Sequence, residues 1–414
     1  MTSPPLVSRA LDLRRALPVL FGAHALGLLA PLLTVPWLAR QLGPTGWAPV
    51  LVAQALAGWA ILMLEFGFDF SGAREVAQAE SNEQVAATAA RVQRARFLIT
   101  PVVVLGTLGA AALLHLSGLL MAGIIGLVIA RGLSPYWFFQ GQQRIRAATA
   151  VDTLGKLLPA TMVFVAVQGS EDGWKVVALQ AGGAAAATLV LTWRMYRQHS
   201  FPRVSNTEAL AALRNASPLF FARGAVGLYT QANTLILSAM APAAVVAAFG
   251  GAERIVRAAT NLLIPVHQAV FPRLSMLAKT APARAMRETR WLLGALVLVA
   301  VCGAAGAAVL AVPIVHLLLG ASFDSSVPVM RVLVIAFPLV SAGSVLGMFW
   351  ALPWRHEKLF LSAVLLGGLT NIVLALVLVP RWQAIGMATA AVAAEASIVT
   401  LLAIAFVRTT ARTR

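Results

Sequence analysis

Residues 291–312 read WLLGALVLVAVCGAAGAAVLAV, an unbroken apolar run with no charged side chain. About 20 such residues, at a rise of 1.5 Å each, cross the hydrocarbon core of a bilayer. The rest of the chain repeats this pattern. Of its 414 residues, 59% are hydrophobic and only 11% charged, and the mean hydropathy is +0.83. A soluble domain carries roughly 25% charged residues, so the charge present could not coat a globule of this size. The fold class expected is an all-α polytopic membrane protein.

Eleven further spans follow from the same criterion, giving twelve: roughly 16–38, 48–70, 97–115, 117–138, 148–168, 175–193, 216–239, 243–270, 291–312, 328–351, 359–379 and 384–407. The first run is too long for a cleavable signal, and no A-x-A site follows it. The intervening loops are too short to hold a soluble catalytic domain. The single cysteine, Cys302, lies inside an apolar run, so a disulfide framework or a cysteine-based metal site is not expected.

The formal charge of +17 comes from 32 Lys and Arg against 15 Asp and Glu. In a soluble chain that excess would point to nucleic acid. Here, 23 of the 32 lie in the two termini and the alternate loops that share their side, whereas the opposite loops hold only Arg40, Lys175 and Arg381. Positive residues stay on the cytoplasmic side, so both termini are expected there and most of the basicity reports topology. Trp37, Trp47, Trp174 and Trp382 flank the outer side, and Trp193, Trp291 and Trp354 the inner, as interfacial aromatics do.

The chain also repeats itself. LRRALPVLFGAHALGL at 13–28 matches LRNASPLFFARGAVGL at 213–228, with Pro18/Pro218, Phe21/Phe221, Ala25/Ala225 and Gly27/Gly227 at one constant offset. The offset spans six helices, so the two copies share one orientation. Parallel repeats of this kind build transporters from two bundles about a central cavity. The expected organisation is a six-helix bundle over 1–197 and another over 198–414.

Six cations remain inside the expected spans: Arg131, Lys156, Arg223, Arg254, Arg257 and Arg331. A charge at mid-bilayer costs roughly 2.5–3.5 kcal/mol on insertion scales, so such groups are expected to pair or to face a hydrated path. Arg223, Gly227, Thr230, Gln231, Thr234 and Ser238 fall on one helical face of the seventh span. Glu253, Arg257, Asn261 and Gln268 do so on the eighth, beside Arg254 and His267. A hydrated lumen and a hydrogen-bonded helix seam both produce such stripes. For the arginines the lumen is favoured, because a guanidinium stays charged and matches phosphate and carboxylate. Asp152 and Lys156, four residues apart, read as a local ion pair, and Arg331 as a residue that reaches the outer interface. Substrate-binding candidates are therefore Arg223, Arg254, Arg257 and Arg131. Glu253, Glu395, Glu65 and Asp69 are the acids able to carry a coupling ion.

At this point a resemblance becomes legible. PWLARQLGPTGW at 36–47, FGFDFSGAREVA at 66–77 and WFFQGQQRIR at 137–146 carry it in the first half. SPLFFARGAVGLYTQANTLIL at 217–237, AAFGGAERIVRAATNLLIPVHQAVFPRLS at 247–275 and AIGMATAAVAAE at 384–395 carry it in the second. Over nearly its whole length the chain resembles the polysaccharide-export flippases, the Wzx-type O-antigen and exopolysaccharide translocases of the multidrug/oligosaccharidyl-lipid/polysaccharide superfamily. The resemblance implies two six-helix bundles, alternating access, and an undecaprenyl-diphosphate-linked oligosaccharide as cargo. It also implies an inner-membrane location, upstream of a polysaccharide polymerase and co-polymerase. Arg40 falls in the family's P-x-L-x-R-x-L-G turn and joins the candidate site residues. Where the family often has Y-x-x-x-D in the seventh span, this chain reads YTQAN, with Asn233 in place of the acid.

A cation-coupled multidrug exporter of the related class is the alternative, and it would need an acidic or aromatic lumen. A polyprenyl-linked glycosyltransferase would need a metal-binding acidic pair or a large outer loop, and neither is legible. No enzyme activity, cofactor or metal is expected, and no nucleic-acid partner; the expected partners are a lipid-linked oligosaccharide and membrane lipids.

Overall fold

The computed structural model describes the backbone of residues 6–261 and 263–412, and the side chains of these except 6–32, 219, 222–231, 265, 268–269 and 410–412. Arg223, Thr230, Gln231 and Gln268 thus have side chains outside the described residues. Among the described residues the secondary structure is helical, with no strand.

The helices in chain order are α1 (Leu6–Glu65), α2 (Phe68–Gln78), α3 (Asn82–Leu113), α4 (Gly118–Gly132), α5 (Tyr136–Gly141), α6 (Ile145–Ala166), α7 (Gly173–Gln198) and α8 (Asn206–Met240). They continue as α9 (Ala243–Asn261), α10 (Ile264–Thr280), α11 (Pro282–Val309), α12 (Ala311–Leu318), α13 (Ser326–Leu333), α14 (Ala336–Ser344) and α15 (Glu357–Arg412). Among the described residues the twelve expected spans fall mostly on helical backbone, and the protein is an all-α polytopic bundle protein. Eight described stretches are long and apolar enough to cross a membrane, and the last, Glu357–Thr409, has the 53 residues that two crossings need.

Where two spans follow without a loop, one residue makes the turn. In α1 it is Gly43, at φ 63° and ψ 179°, a conformation that costs glycine little because it has no Cβ. In α15 it is Gln383, at φ 48° and ψ −124°. Where one span was expected, the helix sometimes breaks. The 243–270 segment divides into α9 and α10, whose first turn contains Pro265, a residue whose missing N–H costs nothing at a helix start. The 328–351 segment divides into α13, α14 and a π-helical segment over Val345–Ala351, which turns Phe349 and Trp350 fully inward.

The chain forms two compact units. One holds the chain up to Leu42 together with Ala53–Gly224; the other holds Gly43–Val52 and Ala225–Arg414. The dividing point therefore falls within α8, later than the expected 197/198, and a ten-residue turn from the first half joins the second unit. The reason for the second feature is packing. Trp47 and Leu51 of that turn meet Gly251 and Gly250 of α9, where an added Cβ would lie 3.4 Å from the Trp47 ring and 2.7 Å from Leu51 Cδ1. Trp47 also packs edge-on to Phe323, with centroids 5.6 Å apart.

Within the first unit, α6 and α7 cross at glycines. A Cβ on Gly183 would collide with the carbonyl oxygen of Gly155 and the ring of Pro159. Small residues at such crossings let backbones approach and replace a hydrophobic driving force that lipid cannot supply. A second cluster packs Trp137, Phe138 and Phe139 of α5 against Phe68, Val76 and Met195, and against Ala209 and Ala216 of α8. Arg96 is buried at its edge, 5.9 Å from the Phe68 ring centre and 5.8 Å from that of Trp137. Its Nη1 donates to the Ser134 carbonyl at 3.0 Å.

Candidate functional site

In the second unit a cavity of about 310 Å³ opens among α8, α9, α13, α14 and α15. Its polar wall is Asn233, Glu253, Arg257, Thr260, Asn371 and Glu395; Val256, Leu333, Ala336, Val340 and Ala391 complete it. The sequence places these groups by helical spacing. Glu253, Val256, Arg257 and Thr260 recur at three or four residues and so share one face of α9. Ala391 and Glu395 do the same beyond the Gln383 turn of α15, and Asn371 comes from before it. The sharp turn is thus what lets one helix present two walls.

Two contacts order the polar wall. Arg257 Nη2 donates to Glu253 Oε1 at 2.8 Å, one turn away on α9. Asn371 Nδ2 donates to Asn233 Oδ1 at 2.7 Å. Asn371 is fully buried and Asn233 nearly so, and Asn371 Oδ1 is a buried acceptor with no hydrogen-bond partner among the described residues. The first contact holds a cation and an anion side by side at the cavity surface. The second fixes α8 to α15 with a neutral amide pair at the position where the resembling family often has an acid.

The cavity brings together three of the expected site residues: Arg257, Glu253 and Glu395. Its described lining has one guanidinium against two carboxylates, so the cationic excess expected from the sequence is not what lines it. Arg254, one residue from Glu253, points to another face of α9. Its guanidinium lies 5.3 Å from the centre of the Trp47 ring, a cation–π contact that repays part of the cost of burying the charge. Arg223 has its side chain outside the described residues.

The remaining expected residues belong to the first unit. Arg131 pairs with Asp152 at 2.8 Å, and Lys156 pairs with the same carboxylate at 2.6 Å. The local Asp152–Lys156 pair read from the sequence therefore exists, and Arg131 completes it as a triad. Glu65 and Asp69 lie in the electrostatic field of buried Arg96, and Arg40 sits exposed near the Gly43 turn. In the second unit, Arg331 is exposed and donates through Nε to the Ala308 carbonyl at 3.3 Å. Sequence reasoning missed Asn371 and Arg96. Asn371 had a signal, as one of very few polar residues in the 359–379 run. Arg96 had none, because it sits where topology alone accounts for a cation.

The fold has clear relatives. It superposes on a lipid II flippase, MurJ, in an inward closed conformation with a TM-score of 0.76, covering 94% of this chain and 86% of that one at 13% identity. It superposes on an inward-facing multidrug-resistance MATE transporter with a TM-score of 0.71, covering 93% and 94% at 14% identity. The class the fold defines is thus the helical bundle fold that these membrane transporters have. Residues 13–278 match the family described as polysaccharide biosynthesis protein, and the chain belongs to that family. Two full-length relatives agree. A protein of Shigella dysenteriae assigned as an O-antigen transporter is 25% identical over 396 residues, 94% of this chain and 98% of that one. Its counterpart in Escherichia coli strain K12 is 23% identical over 407 residues, 96% and 97% of the two chains.

Proposed function

We propose that the protein flips a lipid-linked oligosaccharide of the O-antigen type, carried on a polyprenyl diphosphate such as undecaprenyl diphosphate, across the bacterial inner membrane. The two parallel repeats work by alternating access, both termini lie in the cytoplasm, and the product passes to a polysaccharide polymerase and its co-polymerase. The observation that carries this reading is the Arg257–Glu253 pair on the wall of the second unit's cavity. A guanidinium held by a carboxylate is a cation kept in store. A proton taken up by Glu253 weakens that pair and leaves Arg257 to the diphosphate; loss of the proton returns Arg257 to Glu253 and releases the lipid. Glu395, across the cavity, is the second carboxylate able to take the proton. Glu65 and Asp69, in the first unit beside buried Arg96, are the further acids able to carry the coupling ion. No cofactor enters this scheme.

The test is surface polysaccharide in a deletion strain of the source organism complemented with variants. Arg257→Ala and Glu395→Gln are expected to lower it at least tenfold, with membrane levels of the protein unchanged. Full surface polysaccharide in both variants would remove the cavity from the mechanism.

The excess of carboxylates over guanidinium in that cavity, together with the likeness to a multidrug transporter fold, keeps one second reading: cation-coupled drug export. Drug susceptibility of an efflux-deficient host separates the two. Expression of this chain is expected to leave it unchanged, and a clear rise in resistance would favour export.

A further inference from the structure

We infer that the α10–α11 corner of the second unit carries a binding site for an anionic glycerophospholipid, independent of the transport cavity. Five cations gather there, Arg273, Lys279, Arg284, Arg287 and Arg290, against one carboxylate, Glu288. Glu288 accepts from Arg273 at 3.0 Å and from Arg284 at 3.1 Å, which anchors those two guanidinium groups and spends the local negative charge. Arg287 and Arg290 are exposed and have no ion-pair partner among the described residues. The first turn of α11 contains no acid, so its positive dipole end adds to the same field.

What lies beyond the arginines identifies a lipid rather than a soluble anion. On a helix of 3.6 residues per turn, Arg284, Arg287, Trp291, Gly294 and Leu298 share one face, and all five are exposed. Trp291 is 70% exposed and Leu298 64%. Only 6% of the apolar window of α11 is buried, less than in the other membrane-crossing stretches. The face therefore reads, from its end inward, as guanidinium groups, an amphipathic ring, then open hydrocarbon-facing surface. That order matches the headgroup phosphate, the glycerol level and the acyl chains of one phospholipid. A guanidinium pair three residues apart can hold a phosphate through charge-assisted hydrogen bonds. Each cation near an anionic leaflet contributes about 1 kcal/mol. Placing this corner at the cytoplasmic leaflet rests on the orientation proposed above, but the binding itself does not.

The experiment is native mass spectrometry of the full-length protein released from detergent with phosphatidylglycerol or phosphatidylcholine added at equal concentration. Wild type is expected to retain phosphatidylglycerol preferentially. The double variant Arg287→Gln/Arg290→Gln is expected to bind it roughly thirtyfold more weakly. Arg203→Gln/Arg214→Gln, which removes the same charge elsewhere, is expected to match wild type. Equal retention by the two double variants would overturn the site. A third arm adds polyprenyl diphosphate: its displacement of phosphatidylglycerol from wild type would show that the corner is an entry point for cargo and would also overturn the proposal. Surface polysaccharide of the Arg287→Gln/Arg290→Gln strain separates the two readings, because loss of the lipid site leaves Arg257 and Glu395 in place.

Discussion

The neutral pair Asn233–Asn371 does at the residue scale what an ion pair would do at greater cost. The two amides share one hydrogen bond of 2.7 Å in a buried place, where a lone carboxylate would have to be paired or protonated. Removing one partner strands the other. Asn371→Leu is expected to destabilise the purified protein by about 1–3 kcal/mol, read as a lower thermal midpoint in detergent. Asn233→Leu/Asn371→Leu is expected to recover most of that loss, since no polar atom of the pair remains. A double variant worse than the sum of the singles would show that the pair is not the unit. Arg254 and Arg257 make the complementary point. They lie three positions apart in sequence, yet one lies over Trp47 and the other against Glu253. Their shared charge was legible in the sequence; their division between packing and cavity was not, because it depends on which neighbour each helix face meets.

At the scale of the element, glycine spacing explains more than hydropathy does. The length of their apolar runs located α6 and α7, but the close approach of Gly155 and Gly183 is what makes them a pair. A side chain there must push the helices apart or distort them. Gly183→Val is expected to cost about 1–3 kcal/mol by overpacking and to lower the thermal midpoint. Gly182→Val, where an added Cβ meets nothing within 4 Å, is expected to be close to neutral. Equal effects at both positions would attribute the loss to helix propensity instead. The breaks in helices were the least legible features. Gly43 lies in the turn motif of the resembling family, whereas Pro265 sits inside a segment read as one span. Gln383 gave no signal, since a glutamine carries no local preference for the positive φ it adopts here. The π segment over Val345–Ala351 is likewise a tertiary result: it places Phe349 and Trp350 at zero exposure and packs Trp350 edge-on to Phe406 at 5.1 Å.

Across the whole molecule, charge sets orientation. With 23 of 32 cations in the termini and the loops expected on their side, the protein is expected to label from the periplasm at opposite loops only. Replacing Cys302 by alanine and introducing single cysteines supplies the test. Cysteine at Glu171 is expected to react with an impermeant maleimide in intact cells, whereas cysteine at Arg203 reacts only after lysis. The reverse pattern would invert the topology and move the lipid site to the other leaflet.

The sequence alone determined that this is an all-helical membrane protein and which family it resembles. Those properties follow from local composition: about 20 apolar residues must cross as a helix, because hydrocarbon offers the backbone no other hydrogen-bond partner. Its internal charges were visible too, but only as an inventory. The tertiary structure decided how they are used. It paired Arg131 with Asp152 and laid Arg254 on Trp47. It also brought Asn371 and Glu395, from either side of the Gln383 turn, to one cavity with Arg257. Such encounters between residues distant in the chain depend on helix crossings, which glycine contacts and single-residue turns set. A hydropathy profile records how apolar a face is and carries no information about what that face will meet.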